Sequence, residues 1–399
     1  MTEKMIKNTE KLYEIDSETF IFEALVLKCE EKNGKFEIIL DRTAFFPTGG
    51  GQTCDTGMLE SSRVIDVYIE NGEIIHITDT ALTVGQTVCG VIDKAERLSK
   101  MRSHTAEHIL SSYIFKSFGF KNVGFHLGSL DTTCDFDGWL SRDMLAEAEV
   151  YVNSVIMENH AVSAIFPSKN ELSAIPYRSK LDLEDNVRIV SIGKDGEIDL
   201  CACCAPHVKY TGQIGYFKIV DAYSYKGGMR IHLLTGFDAI SRAGAEHYAV
   251  RTLSELLSAK PYSADVISGV ERVLSELSDT KTELNNTRTA LSEAYTVGVK
   301  AGEPFVLHID QPDGDLIKRI ALSAKSHGAS SAFIFGGNSD CRFALIGDGA
   351  SEKFASLKAE FSARGGGKDI ICGSMKVDMP FLPSATKTFL KKGFGFQKL

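Results

Sequence analysis

Short apolar runs alternate with polar residues through much of residues 20–95. The runs at 20–27, 35–40, 74–77 and 84–91 are rich in Val, Ile, Leu and Phe, a composition that favours β-strands. Asn-Gly pairs at 33–34 and 71–72 lie between them, and this dipeptide is the strongest short hairpin signal. The pattern predicts a small β-barrel or sandwich domain over residues 1–92.

From residue 93 the apolar spacing changes to three and four, which indicates helices. Helices are predicted at 93–116 and 142–160, and β-rich runs return at 187–192, 214–220 and 229–234. Residues 93–237 are therefore predicted to form an α+β domain.

Two helices are predicted next, at 238–258 and 263–298, separated by Lys260-Pro261. Val270, Leu277, Leu284 and Leu291 recur every seven residues, with Val273, Thr280, Thr287 and Ala294 between them. This spacing is typical of a coiled-coil seam, in which polar Thr280 and Thr287 would be two weakly packing positions. It predicts a helical hairpin or coiled-coil arm over 238–302 and a homodimer formed through it; the alternative is a helix packed on its own domain.

Residues 303–399 have the alternating pattern of an α/β module. Strands are predicted at 305–309, 331–336 and 343–347, with helices at 316–326 and 351–364. A glycine run, Gly365-Gly366-Gly367-Lys368, follows. The predicted fold class of the whole chain is α+β, in four segments.

Composition narrows the class of protein. The chain of 399 residues is 43% hydrophobic and 24% charged, as in ordinary globular proteins, and it has no run near the roughly 20 apolar residues of a membrane span. The first residues are polar and the nine cysteines form no regular framework, so a cytoplasmic protein with reduced thiols and no membrane partner is predicted. A net charge of −9 gives no global attraction to nucleic acid but leaves room for a local basic patch.

The candidate chemistry centres on two histidines four residues apart, His104 and His108. Such residues lie on one face of a helix, one turn apart. About a hundred residues later the segment 201–207, Cys-Ala-Cys-Cys-Ala-Pro-His, offers a thiolate and a third imidazole in His207. Together these groups predict a tetrahedral N/S site suited to Zn²⁺. Spacing alone leaves Cys201, Cys203 and Cys204 all open as the sulfur ligand, and ordinary buried histidines and thiols are the alternative.

The same helix supports a second interpretation. Residues 104–108 have the His-x-x-Glu-His form of inverted zinc peptidases, with Glu107 as general base. That interpretation needs a carboxylate as third ligand and leaves the cysteine cluster unexplained. Moreover, a helical residue adjacent to a ligand points about 100° away from it.

Two glycine-rich segments are candidate ligand-binding sites. Gly49-Gly50-Gly51-Gln52, flanked by Thr43 and Asp55, permits close backbone approach and predicts a pocket wall, with a strand-connecting turn as the alternative. The amides of the run 365–368, with the charge of Lys368, could cradle phosphate. This second run lacks P-loop or dinucleotide spacing, and a flexible loop explains it equally well.

These segments resemble, in order, the stand-alone alanyl-tRNA editing proteins (AlaX group), which are similar to the editing half of alanyl-tRNA synthetase. Residues 43–57 resemble the family's T-x-F-Y-P-x-x-G-G-Q-x-x-D-x-G, with Phe46 at the tyrosine position. The other matching segments are 93–108 (the zinc helix), 123–130, 203–208 (C-x-x-x-H) and 211–215 (T-G-x-I-G). Residues 300–399 resemble the small domain that accompanies DHH phosphoesterases and ends alanyl-tRNA synthetase.

The resemblance implies zinc bound by His104, His108, Cys203 and His207, and so selects Cys203 over its neighbours. The family usually has Gly-Thr before the last histidine, where this chain has Ala205-Pro206. Thr43 is implied as the residue that senses a serine hydroxyl, and the run 365–368 as a nucleic-acid contact. Gln52 and His126 are candidate wall residues of the catalytic site.

The expected activity is hydrolysis of mischarged tRNA(Ala), mainly seryl-tRNA(Ala) and also glycyl-tRNA(Ala), without aminoacylation. A pocket built for alanine rejects serine by only about 10²-fold, whereas a site that hydrogen-bonds the hydroxyl can discriminate by about 10⁴–10⁵. The alternatives are an inverted zinc peptidase and a non-catalytic RNA-binding protein with a structural zinc.

Overall fold

The structure is a computed structural model that describes residues 9–128, 132–179, 187–310, 313–337 and 340–377. The chain divides into two compact units, residues 1–249 and 250–399. The finer boundaries predicted at 92, 237 and 302 stay predictions. The predicted turn segment 123–130 is described as far as Gly128, and residues 378–399 of the predicted C-terminal domain lie outside the described ranges. None of the described helices has the length and apolar character to span a membrane.

The N-terminal part of the first unit is a closed six-stranded barrel with strand order β2-β3-β7-β6-β5-β8. Along β2, Phe22, Ala24 and Val26 are buried while the residues between them are exposed, the period-two alternation of a strand with one face inward. Two of its hairpin turns, β2–β3 and β6–β7, are formed by the two Asn-Gly pairs, whose residues all have positive φ. The elements are β1 (Glu10–Lys11), α1 (Leu12–Ile15), β2 (Ile21–Lys32), β3 (Lys35–Leu40), β4 (Arg42–Thr43), β5 (Gly57–Leu59), β6 (Ser62–Glu70), β7 (Glu73–Thr78) and β8 (Thr87–Ile92).

A long buried helix, α2 (Lys94–Phe118), follows the barrel directly. Asp93 caps its first turn by accepting a hydrogen bond from the Glu96 amide (3.0 Å), and Gly119 ends it in the left-handed conformation. Around α2 lie the four-stranded sheet β14-β15-β10-β9 and the three-stranded sheet β11-β12-β13. The elements are β9 (Asn122–Leu127), β10 (Thr132–Phe136), α3 (Arg142–Glu158), β11 (Val162–Ile165), α4 (Lys169–Leu172), β12 (Ile189–Ile192), β13 (Asp199–Ala202), β14 (Phe217–Tyr225), β15 (Gly228–Thr235) and two short 3-10 turns, Lys194–Gly196 and Thr211–Ile214.

The predicted pair of helices is present as α5 (Gly236–Leu256) and α6 (Ala264–Thr296). The N-terminal two thirds of α6 is largely exposed, including the seam residues Val270 and Leu277. Its C-terminal turns instead pack on α7 (Gly314–Ser326), where Thr296 and Ser323 bring their hydroxyls within 2.8 Å. The C-terminal turns of α6 thus pack on the C-terminal module, while the coiled-coil arm and its homodimer stay predictions.

The C-terminal module is a five-stranded sheet with order β16-β17-β18-β20-β19, in which only β16 and β17 are parallel. Apolar clusters cover both of its faces, one beneath α7 and one beneath α8. Its remaining elements are β16 (Phe305–Ile309), β17 (Ser331–Gly336), β18 (Asp340–Gly347), α8 (Ala350–Phe361), β19 (Arg364–Gly366) and β20 (Ile370–Lys376). Mixed helix and strand throughout agree with the predicted α+β class.

Candidate metal centre

Helix α2 carries the two predicted histidines on one buried face. His104 and His108 are each 3% exposed, and their ring centroids lie 5.3 Å apart. Both rings also lie within 5 Å of the His207 ring, at 4.8 and 4.6 Å between centroids. Helical spacing thus aligns His104 with His108, and the tertiary fold brings in His207 from about a hundred residues further along the chain.

The thiol comes from the loop that follows β13. Cys203 Sγ lies 3.4 Å from Nε2 of His207 and 3.6 Å from Nε2 of His104. Arg188 holds this loop by donating to the carbonyls of Cys203 (2.8 Å) and Ala205 (2.9 Å). One donor atom from each of four side chains, His104, His108, Cys203 and His207, lies within 4.8 Å of the others.

The far nitrogen of each ring has a fixed partner. His104 Nδ1 lies 2.8 Å from Gln52 Oε1, and His108 Nδ1 lies 3.0 Å from Asp199 Oδ2, so both nitrogens donate. His207 Nδ1 lies 3.0 Å from the hydroxyl of Thr105.

The Thr105 hydroxyl donates its own hydrogen to the Met101 carbonyl (2.8 Å). Towards His207 it must therefore accept, which places the ring proton of His207 on Nδ1. With Nδ1 protonated in all three rings, each Nε2 presents a lone pair to the common centre.

The pKa values of His207 and Cys203 favour a cation at this centre. Burial lowers the pKa of His207 well below its ordinary value, and the neighbouring His108 and His104 lower it further, so the His207 ring is neutral. Burial raises the pKa of the Cys203 thiol, and a bound metal ion is the kind of charge that makes such a thiol ionise. Three imidazole nitrogens and one sulfur are a donor set that suits Zn²⁺.

A buried carboxylate supports His108 from behind. Asp199 is 1% exposed and also accepts two hydrogen bonds from Arg178, at 2.7 and 2.9 Å. Burial alone would raise the pKa of Asp199, but the hydrogen bonds from His108 and Arg178 outweigh it and hold that pKa below its ordinary value. Sequence analysis missed this pair, although strand alternation places Asp199 on the same face of β13 as Cys201 and beside the predicted loop.

The three cysteines occupy different positions. The Sγ of Cys203 lies with the three Nε2 atoms, whereas Cys201 is grouped with Asp199 and His108, and Cys204 is exposed. The geometry therefore favours Cys203 as the sulfur donor.

The glycine-rich segment before β5 runs along α2 and contacts it at three successive levels. Asp55 pairs with Arg97, the carbonyl of Cys54 accepts from Lys100, and Gln52 contacts His104. At Gly51, which has φ 85°, a Cβ atom would lie 2.4 Å from the carbonyl oxygen of Phe125. Only glycine permits this approach. The glycine-rich segment that was predicted to form a pocket wall therefore packs closely on β9 and α2.

Gln52 itself is 1% exposed, and its Nε2 is one of the few buried polar side-chain atoms without a partner among the described residues. A buried amide donor left unpaired costs about 1–3 kcal/mol. The Oε1 atom is held by His104, so the donor end of the same amide is available beside the cluster.

The other predicted site residues lie elsewhere. Thr43 is fully buried in the barrel, where its hydroxyl contacts His76 Nε2 (2.8 Å) and accepts from the Phe45 amide (3.1 Å). His126 is exposed; its neighbour on β9, Phe125, contacts the His104 ring, so alternation points His126 to the opposite face. Glu107 accepts from Ser111 and Asn122 (2.6 and 2.5 Å), and among the described residues it is not part of the group of donor atoms that includes the three histidines.

The first half of the run 365–368 is a β-strand, so the run is neither a phosphate cradle nor a flexible loop over all four residues. Gly365 and Gly366 belong to the edge strand β19, paired with Gly373 and Cys372 of β20. A Cβ at Gly365 would lie 2.3 Å from the Cys372 carbonyl oxygen, so the absence of a side chain here serves strand pairing.

Comparison with known protein families gives two matches. The model named threonyl and alanyl tRNA synthetase second additional domain matches residues 187–232, which span β12 to β15 and include Cys203 and His207. The model named tRNA synthetases class II (A) matches residues 4–96; those that the structure describes form the barrel and the start of α2.

Individual relatives agree with these models. The chain is 28% identical over 386 residues to an alanine–tRNA ligase of Natronomonas pharaonis, covering 91% of this chain and 41% of the relative. It is 29% identical over 357 residues to an alanine–tRNA ligase of Ignicoccus hospitalis, covering 84% and 39%. It is 30% identical over 245 residues to the alanyl-tRNA editing protein AlaX-L of Pyrococcus horikoshii, covering 58% and 59%. The chain thus spans about two fifths of the ligases it matches, and the predicted resemblance to alanyl-tRNA editing proteins is confirmed.

Proposed function

We propose that this relative of alanyl-tRNA editing proteins is a zinc-dependent hydrolase that removes wrongly attached amino acids from tRNA(Ala). Seryl-tRNA(Ala) is the main substrate and glycyl-tRNA(Ala) the second. The observation that carries the proposal is the convergence of Cys203 Sγ with three Nε2 atoms whose rings are each fixed through Nδ1. Relatives named for alanyl-tRNA editing and for alanine–tRNA ligation supply the tRNA(Ala) substrate class.

His104, His108, Cys203 and His207 would hold the zinc. A bound zinc ion supplies Lewis acidity towards a carbonyl or orients the substrate's amino or ribose group. Asp199 and Gln52 keep two of the rings aligned. An aminoacyl ester is already activated, so orientation of the ester in a water-limited site contributes much of the rate.

Gln52 has a second role in this proposal. Its Oε1 keeps His104 in the correct tautomer, and its unpaired Nε2 donates to an oxygen of the bound aminoacyl group. A fixed donor aimed at an oxygen that gains charge in the transition state lowers the barrier by about 3–4 kcal/mol in known hydrolases.

Selection of serine requires a group that hydrogen-bonds its hydroxyl, because an apolar pocket cannot tell serine from alanine well enough. Thr43 is the sequence-based candidate, and its bond to His76 fixes the direction of its own hydroxyl hydrogen. A Thr43→Val variant lacks the hydroxyl that would hydrogen-bond the serine hydroxyl. Its rate of deacylation of alanyl-tRNA should therefore rise relative to its rate with seryl-tRNA.

Release of serine from mischarged tRNA(Ala) tests the function. Wild type should release serine, and His104→Ala should not, while Cys204→Ala, which removes an exposed neighbouring thiol, should behave as wild type. Equal rates for wild type and His104→Ala would exclude the proposal. If wild type binds zinc tightly but releases no serine, an RNA-binding protein with a structural metal would be favoured. In a separate assay with ATP, we expect no attachment of alanine to tRNA.

A homodimer through α6 and a tRNA contact in the C-terminal module complete the proposal. Support for the dimer comes from Val270, Val273, Leu277 and Leu284, which are 39–48% exposed at coiled-coil spacing. Support for the tRNA contact comes from Lys368 beside Gly367 at the exposed end of β19.

A further inference from the structure

Two thiols follow each other in the loop after β13. Cys203 Sγ is one of the four donor atoms, and among the described residues Cys204 is not part of that group. Cys203 is partly buried, whereas Cys204 is exposed. The proposed centre therefore uses one sulfur and leaves a second, solvent-accessible thiol at the next position of the chain.

The Cys204 side chain rests against the glycine-rich segment before β5. A Cβ atom at Gly50 would lie 4.0 Å from Cys204 Sγ, which is ordinary van der Waals contact. Two residues further along that segment, Gln52 contacts His104, whose Nε2 lies 3.6 Å from Cys203 Sγ. Both sulfurs thus lie along one segment, and the missing side chain of Gly50 leaves space for the exposed thiol to move.

The β12–β13 ladder ends before the two thiols. β13 ends at Ala202, so Cys204 lies in the loop, whereas Cys201 is paired with Val190 in the ladder. Residues two apart on a strand are separated by about 6.6 Å, and a disulfide requires Cβ atoms about 3.5–4.5 Å apart. Cys201 could therefore reach Cys203 only if the ladder opened, whereas Cys204 can approach through a change in the loop alone.

The neighbouring thiol matters because of how metal-binding sulfur reacts. A cysteine that binds a metal ion does so as a thiolate, and the thiolate is the form that oxidants attack. Redox-sensitive cysteines often have a second thiol beside them that resolves the oxidised sulfur into a disulfide. Cys203 and Cys204 combine these two features.

We propose that Cys203 and Cys204 form a reversible oxidation site for hydroperoxides, at which a disulfide between them withdraws the sulfur donor from the metal centre. This inference goes beyond the proposed deacylase function and rests on the metal centre that this function uses.

The oxidation takes two steps. The Cys203 sulfur attacks the terminal oxygen of the hydroperoxide; an S–O bond forms, the O–O bond breaks, and the alkoxide takes a proton from solvent and leaves as an alcohol. The Cys204 sulfur then attacks the Cys203 sulfur, so that an S–S bond forms and the S–O bond breaks. Hydroxide leaves with the Cys204 proton as water. Together the sulfurs lose two electrons, and the hydroperoxide gains them.

The geometry of adjacent residues makes this disulfide easy to reverse. Consecutive Cα atoms lie about 3.8 Å apart, below the usual disulfide range of about 4.4–6.8 Å. The ring is therefore strained, and strained disulfides are readily reduced by thiols. Without Cys204, oxidised Cys203 would continue to the sulfinic acid, which thiols do not reduce.

The test uses the full chain loaded with zinc and an excess of tert-butyl hydroperoxide, with a chromogenic chelator to report zinc release. Peroxide and chelator are then removed, dithiothreitol and fresh zinc are added, and the metal content is measured again. Wild type should release zinc and regain it. Cys204→Ala should also release zinc but fail to regain it. Cys201→Ala should behave as wild type, and Cys29→Ala, which removes a partly buried thiol of the barrel, is the control in its place if Cys201→Ala binds no zinc.

Peptide mass spectrometry locates the disulfide. Oxidised wild type should yield a tryptic peptide of residues 195–209 in which Cys201 takes up an alkylating label and the other two thiols do not. Three results would overturn the inference: metal recovery in Cys204→Ala equal to that of wild type, a disulfide that includes Cys201, or zinc that stays bound to wild type in excess peroxide.

Metal analysis and deacylation together separate this inference from the proposed function. If wild type contains zinc and releases serine but peroxide leaves the zinc in place, the oxidation site fails and the function stands. If peroxide releases zinc reversibly from a wild type that never releases serine, the function fails and the oxidation site stands. A wild type that binds no zinc before oxidation would overturn both.

Discussion

The carboxylate of Asp199 lies 3.0 Å from Nδ1 of His108, and both side chains are almost fully buried. Such a carboxylate fixes the ring orientation of a ligating histidine and raises the basicity of its other nitrogen. The supporting carboxylate is therefore as much a part of the centre as the four donor atoms.

Asp199→Asn keeps the shape of the side chain and removes its charge. We expect zinc affinity to fall about 10–100-fold, because the amide is a weaker acceptor for His108 and no longer neutralises Arg178. Competition with a chelator of known affinity measures the change. Asp221→Asn, at an exposed site, is the control, and equal affinities in the two variants would show that Asp199 has no role in binding.

Gln52→Glu separates the two roles of this side chain. A carboxylate still accepts from His104 Nδ1, so the metal content should stay at the wild-type level. The donor at Nε2 is lost, and we expect kcat for serine release to fall by about 10²–10³. Wild-type turnover in a variant with full metal content would contradict the proposed donor role.

The candidate donors could be proposed from sequence because their signals are local: two histidines at helical spacing and a cysteine cluster that ends in His207. Spacing did not choose among the three cysteines, and only the family resemblance selected Cys203. The partners Gln52 and Asp199 depend on long-range pairing, since Asp199 reaches His108 only after β13 pairs with β12 in register. Such contacts cannot be predicted from the spacing of residues along the chain.

Most strands and helices followed from periodicity, whereas the glycine run was harder to interpret. Its composition suggests a loop or an anion cradle, but pairing of Gly365 with Gly373 places it in a sheet. Tertiary pairing here overrides the low β-propensity of glycine. Likewise, no local pattern indicates that Thr43 faces His76 in the barrel.

Arg97→Met tests the ion pair that joins the glycine-rich segment to α2. Arg97 and Asp55 are 0% and 1% exposed, and the variant would leave a buried carboxylate without its partner. The free energy of unfolding should fall by about 3–5 kcal/mol, as measured by urea denaturation. Arg42→Met, which breaks an exposed pair with Glu10 (3.4 Å), should cost less than about 1 kcal/mol; similar losses in both variants would refute the argument.

Leu277→Lys tests the α6 seam. Under the dimer proposal a charge at this position separates the subunits, and light scattering should report the 43.6 kDa monomer for the variant and twice that mass for wild type. Ser275→Lys, on the outward side of the heptad, should remain dimeric. A wild-type monomer at working concentration would remove the proposed interface.

His76 predicts an acid-sensitive barrel. The ring is fully buried between Thr43 and the Ile38 carbonyl, and this burial lowers the pKa of His76 to about 4 from an ordinary value near 6.5. Between these values the unfolded chain binds a proton that the folded chain does not, so the free energy of unfolding falls as pH drops from 6.5 towards 4, by about 3 kcal/mol in total.

In His76→Gln this contribution is absent, and the free energy of unfolding should depend less on pH across that window. His232→Gln, on the solvent-facing β15 hairpin beside Tyr223, retains the buried ring and should follow wild type. Acid-induced metal loss is common to all three proteins and cancels in the comparison, so identical pH dependence in wild type and His76→Gln would show that this histidine does not cause the sensitivity.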